Sequence, residues 1–201
     1  KERLAQMPIV TTVLAKGYDV LLCDENVDEF CMMALGQYAS TREVALEGEE
    51  PKQWPLKNVG GEDLGLTTEA EKEKAEETTK ENAELFDAMK EALDGKVEKV
   101  VVSTRLTDSP VVLTTEGAVS LQMAQMLKSQ PGSEEAPSAH VVLEVNAEHP
   151  IFETMKSAHA AGETDKVNEY TQILYDQALL VEGLPIDNPL AFAQKVTSLM
   201  K

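Results

Sequence analysis

The chain has 201 residues, 42% of them apolar, and a formal net charge of −18. Such an acidic surface argues against nucleic acid, whose phosphates are bound by Lys and Arg that displace counterions, and against docking on an anionic membrane. No apolar run approaches the roughly 20 residues that cross a bilayer, and the sequence has no CxxC and no His near its cysteines that would give metal-ligand spacing.

Met7 to Ala15 reads as a short helix. Tyr18 to Cys23 follows Gly17, is rich in β-formers and reads as a buried strand. Asp24 to Asn26 turn the chain, and Asn26 is placed to cap a helix that starts at Val27. At 100° per residue, Val27, Phe30, Cys31, Ala34, Leu35 and Tyr38 share one face of it, while Met32 and Met33 project off the stripe. Cys23 and Cys31 both fall in apolar patterns, which predicts buried, inert thiols in a reducing compartment, the cytoplasm. Pro51, Trp54, Pro55 and Gly60-Gly61 punctuate an irregular connection, so a domain boundary is expected there. The expected units are residues 1–60, a small α/β layer, and residues 66–201.

Thr68 with Glu71 fits a capping box opening a long helix. Its first turns, within the charged stretch Glu69 to Glu84, read as a solvated spacer. Its second half carries Leu85, Met89, Ala92 and Leu93, and Gly95 can close it in a left-handed conformation. Val97 to Ser103, Val111 to Thr114 and His140 to Val145 are strand candidates. The intervening Glu116 to Gln130 is helical, as are Pro150 to Ala160 and Glu163 to Glu182, and a final helix begins at Asn188-Pro189. The fold class is therefore α/β (α+β), with a mixed three-stranded sheet packed against helices.

The last two helices carry an excess of apolar surface. Val167, Tyr170, Thr171, Leu174, Ala178 and Val181 form one stripe, widened by Ile173 and Leu180, and Phe192, Val196, Leu199 and Met200 form another. Periodicity leaves two readings open: a helical interface between copies, or helices that simply cover the sheet. Catalytic motifs are missing. There is no GxxxxGK[ST], GxGxxG or GxSxG, and neither cysteine has the electropositive setting a nucleophilic thiolate needs. His140, His149 and His159 have acidic company only because the whole chain is acidic. An enzyme is not expected.

Four stretches, KGYDVLLCDENVDEFCMMAL (Lys16 to Leu35), KVEKVVVSTRLTDSPVVL (Lys96 to Leu113), HVVLEVNAEHPIFETMK (His140 to Lys156) and YTQILYDQALLVEG (Tyr170 to Gly183), together resemble the heat shock protein 90 chaperone family, in the family's order. The VVSxRLTxSP core is the most specific match. The resemblance implies the last part of a middle domain followed by the C-terminal dimerisation domain. The ATP and magnesium site of the full-length family would lie before Lys1, so no cofactor is expected here. Because Lys1 is no initiator Met, the sequence is expected to be a piece of a longer protein. The end at Met200-Lys201, without Met-Glu-Glu-Val-Asp or Lys-Asp-Glu-Leu, favours the cytoplasmic bacterial HtpG type.

The same resemblance implies homodimerisation through Tyr170, Ile173, Leu174, Ala178, Val181, Phe192, Val196, Leu199 and Met200, in a bundle of helices from two copies. It also implies a surface for partly folded client proteins at Glu29, Phe30, Met33, Val119, Met123, Met126 and Leu127, with another chaperone as a possible further partner. The resemblance also implies a departure, since some bacterial members of the family carry Trp at the position of Phe30 and Asn at that of Met33. Read by periodicity alone, Val119, Met123, Met126 and Leu127 are an ordinary core stripe. The two methionines and the flanking Ser120, Gln122 and Gln125 suit an exposed, promiscuous surface instead. The alternative to a client-binding role is a dimerisation scaffold that never touches clients.

Overall fold

A computed structural model describes residues 2–25, 27–39, 53–60, 64–117, 119–128 and 139–200. Asn26, Pro51, Gly61, the loop after Lys128 and Lys201 lie outside the described residues, as do the side chains of Tyr38, Trp54, Gln125 and Leu127.

The first part holds three helices, α1 (Glu2–Ala5), α2 (Pro8–Ala15) and α3 (Asp28–Leu35), and a hairpin of β1 (Gln37–Ala39) and β2 (Gln53–Pro55). In α2, Pro8 takes the first helical position, where its missing N–H costs nothing, and Ile9, Val10 and Val13 are buried. α3 starts at Asp28 because that side chain reaches back to the N–H groups of Asp24 and Glu25, each at 3.1 Å. Tyr18 to Cys23, expected as a buried strand, forms no ladder among the described residues. Tyr18 and Leu21 are exposed, as are both cysteines. A strand needs a partner as well as a composition, and none of the described strands pairs with this stretch. The thiols are thus not core groups; partial burial, then the nearby Asp28 and Asp24, push the Cys23 thiol up and disfavour its thiolate.

The capping box forms as the sequence predicts. In α4 (Glu69–Glu81) the Thr68 hydroxyl accepts from the Glu71 N–H, and the Glu71 carboxylate accepts from the Thr68 N–H at 2.7 Å. Those bonds hold the Glu71 carboxyl below the usual range. α4 buries no residue, as a solvated spacer should. The helix is nevertheless broken. The Asn82 amide donates to the Thr78 carbonyl at 2.7 Å, and the backbone there leaves helical geometry (φ −111°, ψ 23°) before α5 (Ala83–Ala92).

Three strands follow, β3 (Lys99–Val102), β4 (Val111–Glu116) and β5 (His140–Val145), in the order β3-β5-β4, with β5 parallel to β3 and antiparallel to β4. The remaining helices are α6 (Leu121–Lys128), α7 (Pro150–Ala160), α8 (Thr164–Glu182) and α9 (Pro189–Ser198). α6 begins five residues later than the predicted Glu116, because β4 runs through Glu116 and Gly117 turns at φ 90°.

Period-two alternation splits the sheet cleanly. Val100, Val111, Leu113, Leu143 and Val145 face one core with Leu85, Phe86 and Met89 of α5, Phe152 and Met155 of α7, and Val167, Leu174, Ala178 and Leu179 of α8. The other face carries Val112, Thr114, Val142 and Glu144, all buried. Glu144 is taken out of water with three partners: the Ser103 hydroxyl at 2.7 Å, the Thr114 hydroxyl at 3.0 Å and the Arg105 Nε at 3.4 Å. Arg105 in turn receives the Thr12 hydroxyl on its carbonyl at 3.0 Å, which ties α2 to this side of the sheet.

Asn146 fastens the turns at the end of the sheet. Its amide donates to the carbonyls of Thr107 (2.9 Å) and Ser109 (3.1 Å), and its side-chain oxygen accepts from the Glu148 N–H at 3.0 Å. Removing it takes three bonds from part-buried backbone groups, so Asn146→Ala should cost about 1–3 kcal/mol, measured by urea denaturation. At the far end of α8, the Arg3 guanidinium lies over Gly183, where a Cβ would stand 1.5 Å from an Arg3 nitrogen. Beside it, burial raises the Glu182 carboxyl to about 6 against the weaker opposing pull of the Gln122 amide and Arg3. A carboxyl raised on folding destabilises the ionised protein, so stability falls as pH rises from about 4.5 through 6. Glu182→Gln should remove that fall and stabilise the chain by up to roughly 2 kcal/mol above pH 7. Melting temperatures of parent and variant should converge below pH 4.5.

Candidate interaction surfaces

α9 has a largely bare apolar face. The Asn188 side chain caps it by accepting from the Ala191 N–H at 3.0 Å, and Pro189 begins it, yet none of its residues is buried. Leu190 is 70% exposed and Met200 79%. Leu199 is also exposed, and Phe192 and Val196 are half-buried. Polar contacts hold α9 to α8, from the Ser198 hydroxyl to Glu169 (2.7 Å) and from the Lys195 ammonium to Gln172.

α8 is divided between two duties. Leu174 and Ala178, expected in the dimer interface, lie in the protomer's own core, as the stripe 167-171-174-178 is the face turned to the sheet. Ile173 is likewise buried. An aspartate at Ala178 would therefore report on folding. Tyr170 and Val181 remain half-buried and Leu180 is exposed, so the free edge of α8 is narrower than its sequence stripe.

The second surface joins α3 and α6. Ser120 caps α6, its hydroxyl accepting from the Met123 N–H at 3.0 Å and donating to the Glu29 carboxylate of α3 at 2.8 Å. Phe30 and Met33 on α3 are exposed, as are Val27 and Leu35 around them. This reverses the orientation read from periodicity, which turned Val27, Phe30 and Leu35 inward. On α6, Val119 and Met126 are half-buried, while Met123 is buried at 5% exposure. Met123 was expected in solvent beside Met126, but three residues of helix separate them by about 60° and turn it inward. The side chain of Leu127 lies outside the described ones. The structure thus brings Glu29 onto α6 and leaves Phe30, Met33 and Met126 accessible. Gln122, which donates to Glu182 at 3.3 Å, and Ser120 were not singled out by sequence, where polar residues flanking a stripe read only as exposed.

Two of the histidines have local partners. His149 caps α7 by accepting from the Ile151 N–H at 3.2 Å, and His140 meets Glu98 at 2.6 Å on the surface. Among the described residues no three His, Cys, Asp or Glu side chains converge to hold a metal. Among the described residues, the shallow depression around Glu153, Ser157 and Glu163 presents two carboxylates, and its Lys166 is paired with Glu163 at 3.0 Å. No helix among the described residues is long and apolar enough to cross a membrane.

Comparison with known proteins places the chain in a family. The family model described as "Hsp90 protein" matches residues 1–201. Proteins named "Chaperone protein HtpG" from Clostridium perfringens and Clostridium acetobutylicum are 42% and 38% identical to it over 200 residues, all of this chain and 29% of each relative. That of Halalkalibacterium halodurans is 38% identical over 198 residues, 98% of this chain and 29% of the relative. The chain therefore spans less than a third of the length of these relatives. It belongs to the heat shock protein 90 family, of the bacterial HtpG type.

Proposed function

We propose that this chain is the part of an ATP-dependent chaperone that pairs two copies and contacts partly folded client proteins. The observation that carries the pairing is α9, a helix with an apolar face and no buried residue. A face of this kind, continued by Leu180 and Tyr170 of α8, suits an isologous contact in which each copy's helices meet their two-fold mates. Stable interfaces bury roughly 1,200–2,000 Å². Residues 66–201 would form this dimerisation domain and residues 1–60 the end of the preceding one. Nucleotide would bind and be hydrolysed elsewhere in the whole protein, and the cytoplasm is its expected compartment.

Client contact rests on a different surface. Val27, Phe30, Met33 and Leu35 expose apolar side chains that none of the described elements covers, and such patches mark interaction sites. Methionine suits varied partners because it is flexible and polarizable. The buried Met123 favours the second reading, a pairing scaffold without client contact, because it shrinks the patch on α6.

Two substitutions separate these roles. Leu199→Asp should split the dimer while leaving the protomer folded. Each copy loses a buried leucine worth about 1.5–3 kcal/mol, and two-fold symmetry doubles the loss. Sedimentation equilibrium of parent and variant checks it, and a parent that is monomeric at micromolar concentration would contradict the pairing. Met33→Asp should leave melting temperature and dimer unchanged and weaken binding of a reduced, carboxymethylated unfolded protein about tenfold or more. Unchanged binding would favour the scaffold.

A further inference from the structure

The Glu29–Ser120 contact joins two elements 91 residues apart in sequence, and its chemistry is unlike that of a free surface carboxylate. Ser120 is 9% exposed. Its hydroxyl has one proton, which it gives to Glu29, and its lone pair takes the Met123 N–H. The proton and one of the two lone pairs of that oxygen are therefore engaged within the protein. The carboxylate meanwhile sits where α6 begins, at the positive end of its dipole, where a negative charge is favoured. A hydrogen bond to an ionised acceptor is also stronger than a neutral one. The polar chain Glu29–Ser120–Met123 therefore fixes the first turn of α6 relative to α3. A second tie, from Gln122 to Glu182, holds the same turn toward the end of α8.

We propose that Glu29 and Ser120 act as a pair of positioning residues, and that their bond sets the distance and angle between α3 and α6. Glu29 works through Ser120. Its carboxylate is engaged with α6, which leaves the neighbouring Phe30 and Met33 on α3 and Met126 on α6 to present the apolar surface. This inference rests on the client-binding reading above. Releasing the bond lets α6 move and divides that surface.

The test is a double-mutant cycle on the 201-residue dimer, with reduced, carboxymethylated lactalbumin as the unfolded probe. Ser120→Ala and Glu29→Ala should each weaken probe binding about tenfold, roughly 1.4 kcal/mol, and the double variant should be no weaker than either. Ser120→Thr, which keeps the hydroxyl, should bind as the parent does. Hydrogen exchange at the Met123 and Ala124 amides should accelerate in both single variants and stay slow in Ser120→Thr. Losses that multiply to about a hundredfold in the double variant would mean that Glu29 touches the probe directly, and would overturn the proposal. Unchanged exchange in Ser120→Ala would overturn it as well, independently of any client. Met126→Asp separates the two claims: if it binds the probe as the parent does, the client reading fails, while the Glu29–Ser120 pair still stands or falls on exchange at Met123.

Discussion

Leu143 and Val145 on the central strand β5 leave no accessible surface, and the larger part of the molecule is arranged to keep them so. β5 is hydrogen-bonded on both edges, which obliges each of its faces to be covered by something outside the sheet. On one side α5, α7 and α8 supply Met89, Met155 and Val167, each with almost no exposure. On the other, a charge stands among apolar neighbours. Glu144 is tolerable there because two hydroxyls and a guanidinium satisfy its oxygens; a lone buried carboxylate would cost several kcal/mol.

The demand of that core explains why other faces go uncovered. α8 turns Leu174 and Ala178 to the sheet and has only an edge left for α9. α9, tied to α8 by polar bonds, then has an apolar face that the described residues cover only in part. The first part shows the same imbalance. α2 buries Ile9, Val10 and Val13, whereas α3 buries nothing and is fixed to α6 through a carboxylate and a hydroxyl. Elements attached by polar bonds to a well-packed centre are suited to meet partners, because their apolar residues are not needed for folding.

Local signals were legible in the sequence wherever their physics is local. The capping box at Thr68, the prolines at 8, 150 and 189, the glycines at 95 and 183 and the alternation of β5 all act within a few residues, and the elements fall where those signals put them. Errors arose where a second element decides. Tyr18 to Cys23 has the composition of a strand but no partner strand among the described residues, and Met123 lies about 60° round the helix from Met126 and is buried where Met126 is half-buried. Ala178 could be assigned to a core or an interface by periodicity equally well; the sheet decided. Asn82 carried a readable hint, since an asparagine inside a helix competes for the carbonyl four residues back. The Glu29–Ser120 bond had no such signal, because nothing in either segment specifies the other.

The central proposal is that α9 presents an apolar surface to a second copy, and that α3 and α6 present a separate one to unfolded protein. Hydrogen exchange on the parent chain, with and without an excess of a permanently unfolded protein, tests it most directly. The account predicts that α9 amides are already slow and do not change, while amides of residues 28–35 and 121–128 slow on addition. Slowing confined to α7 or to α9, with α3 and α6 unaffected, would contradict it.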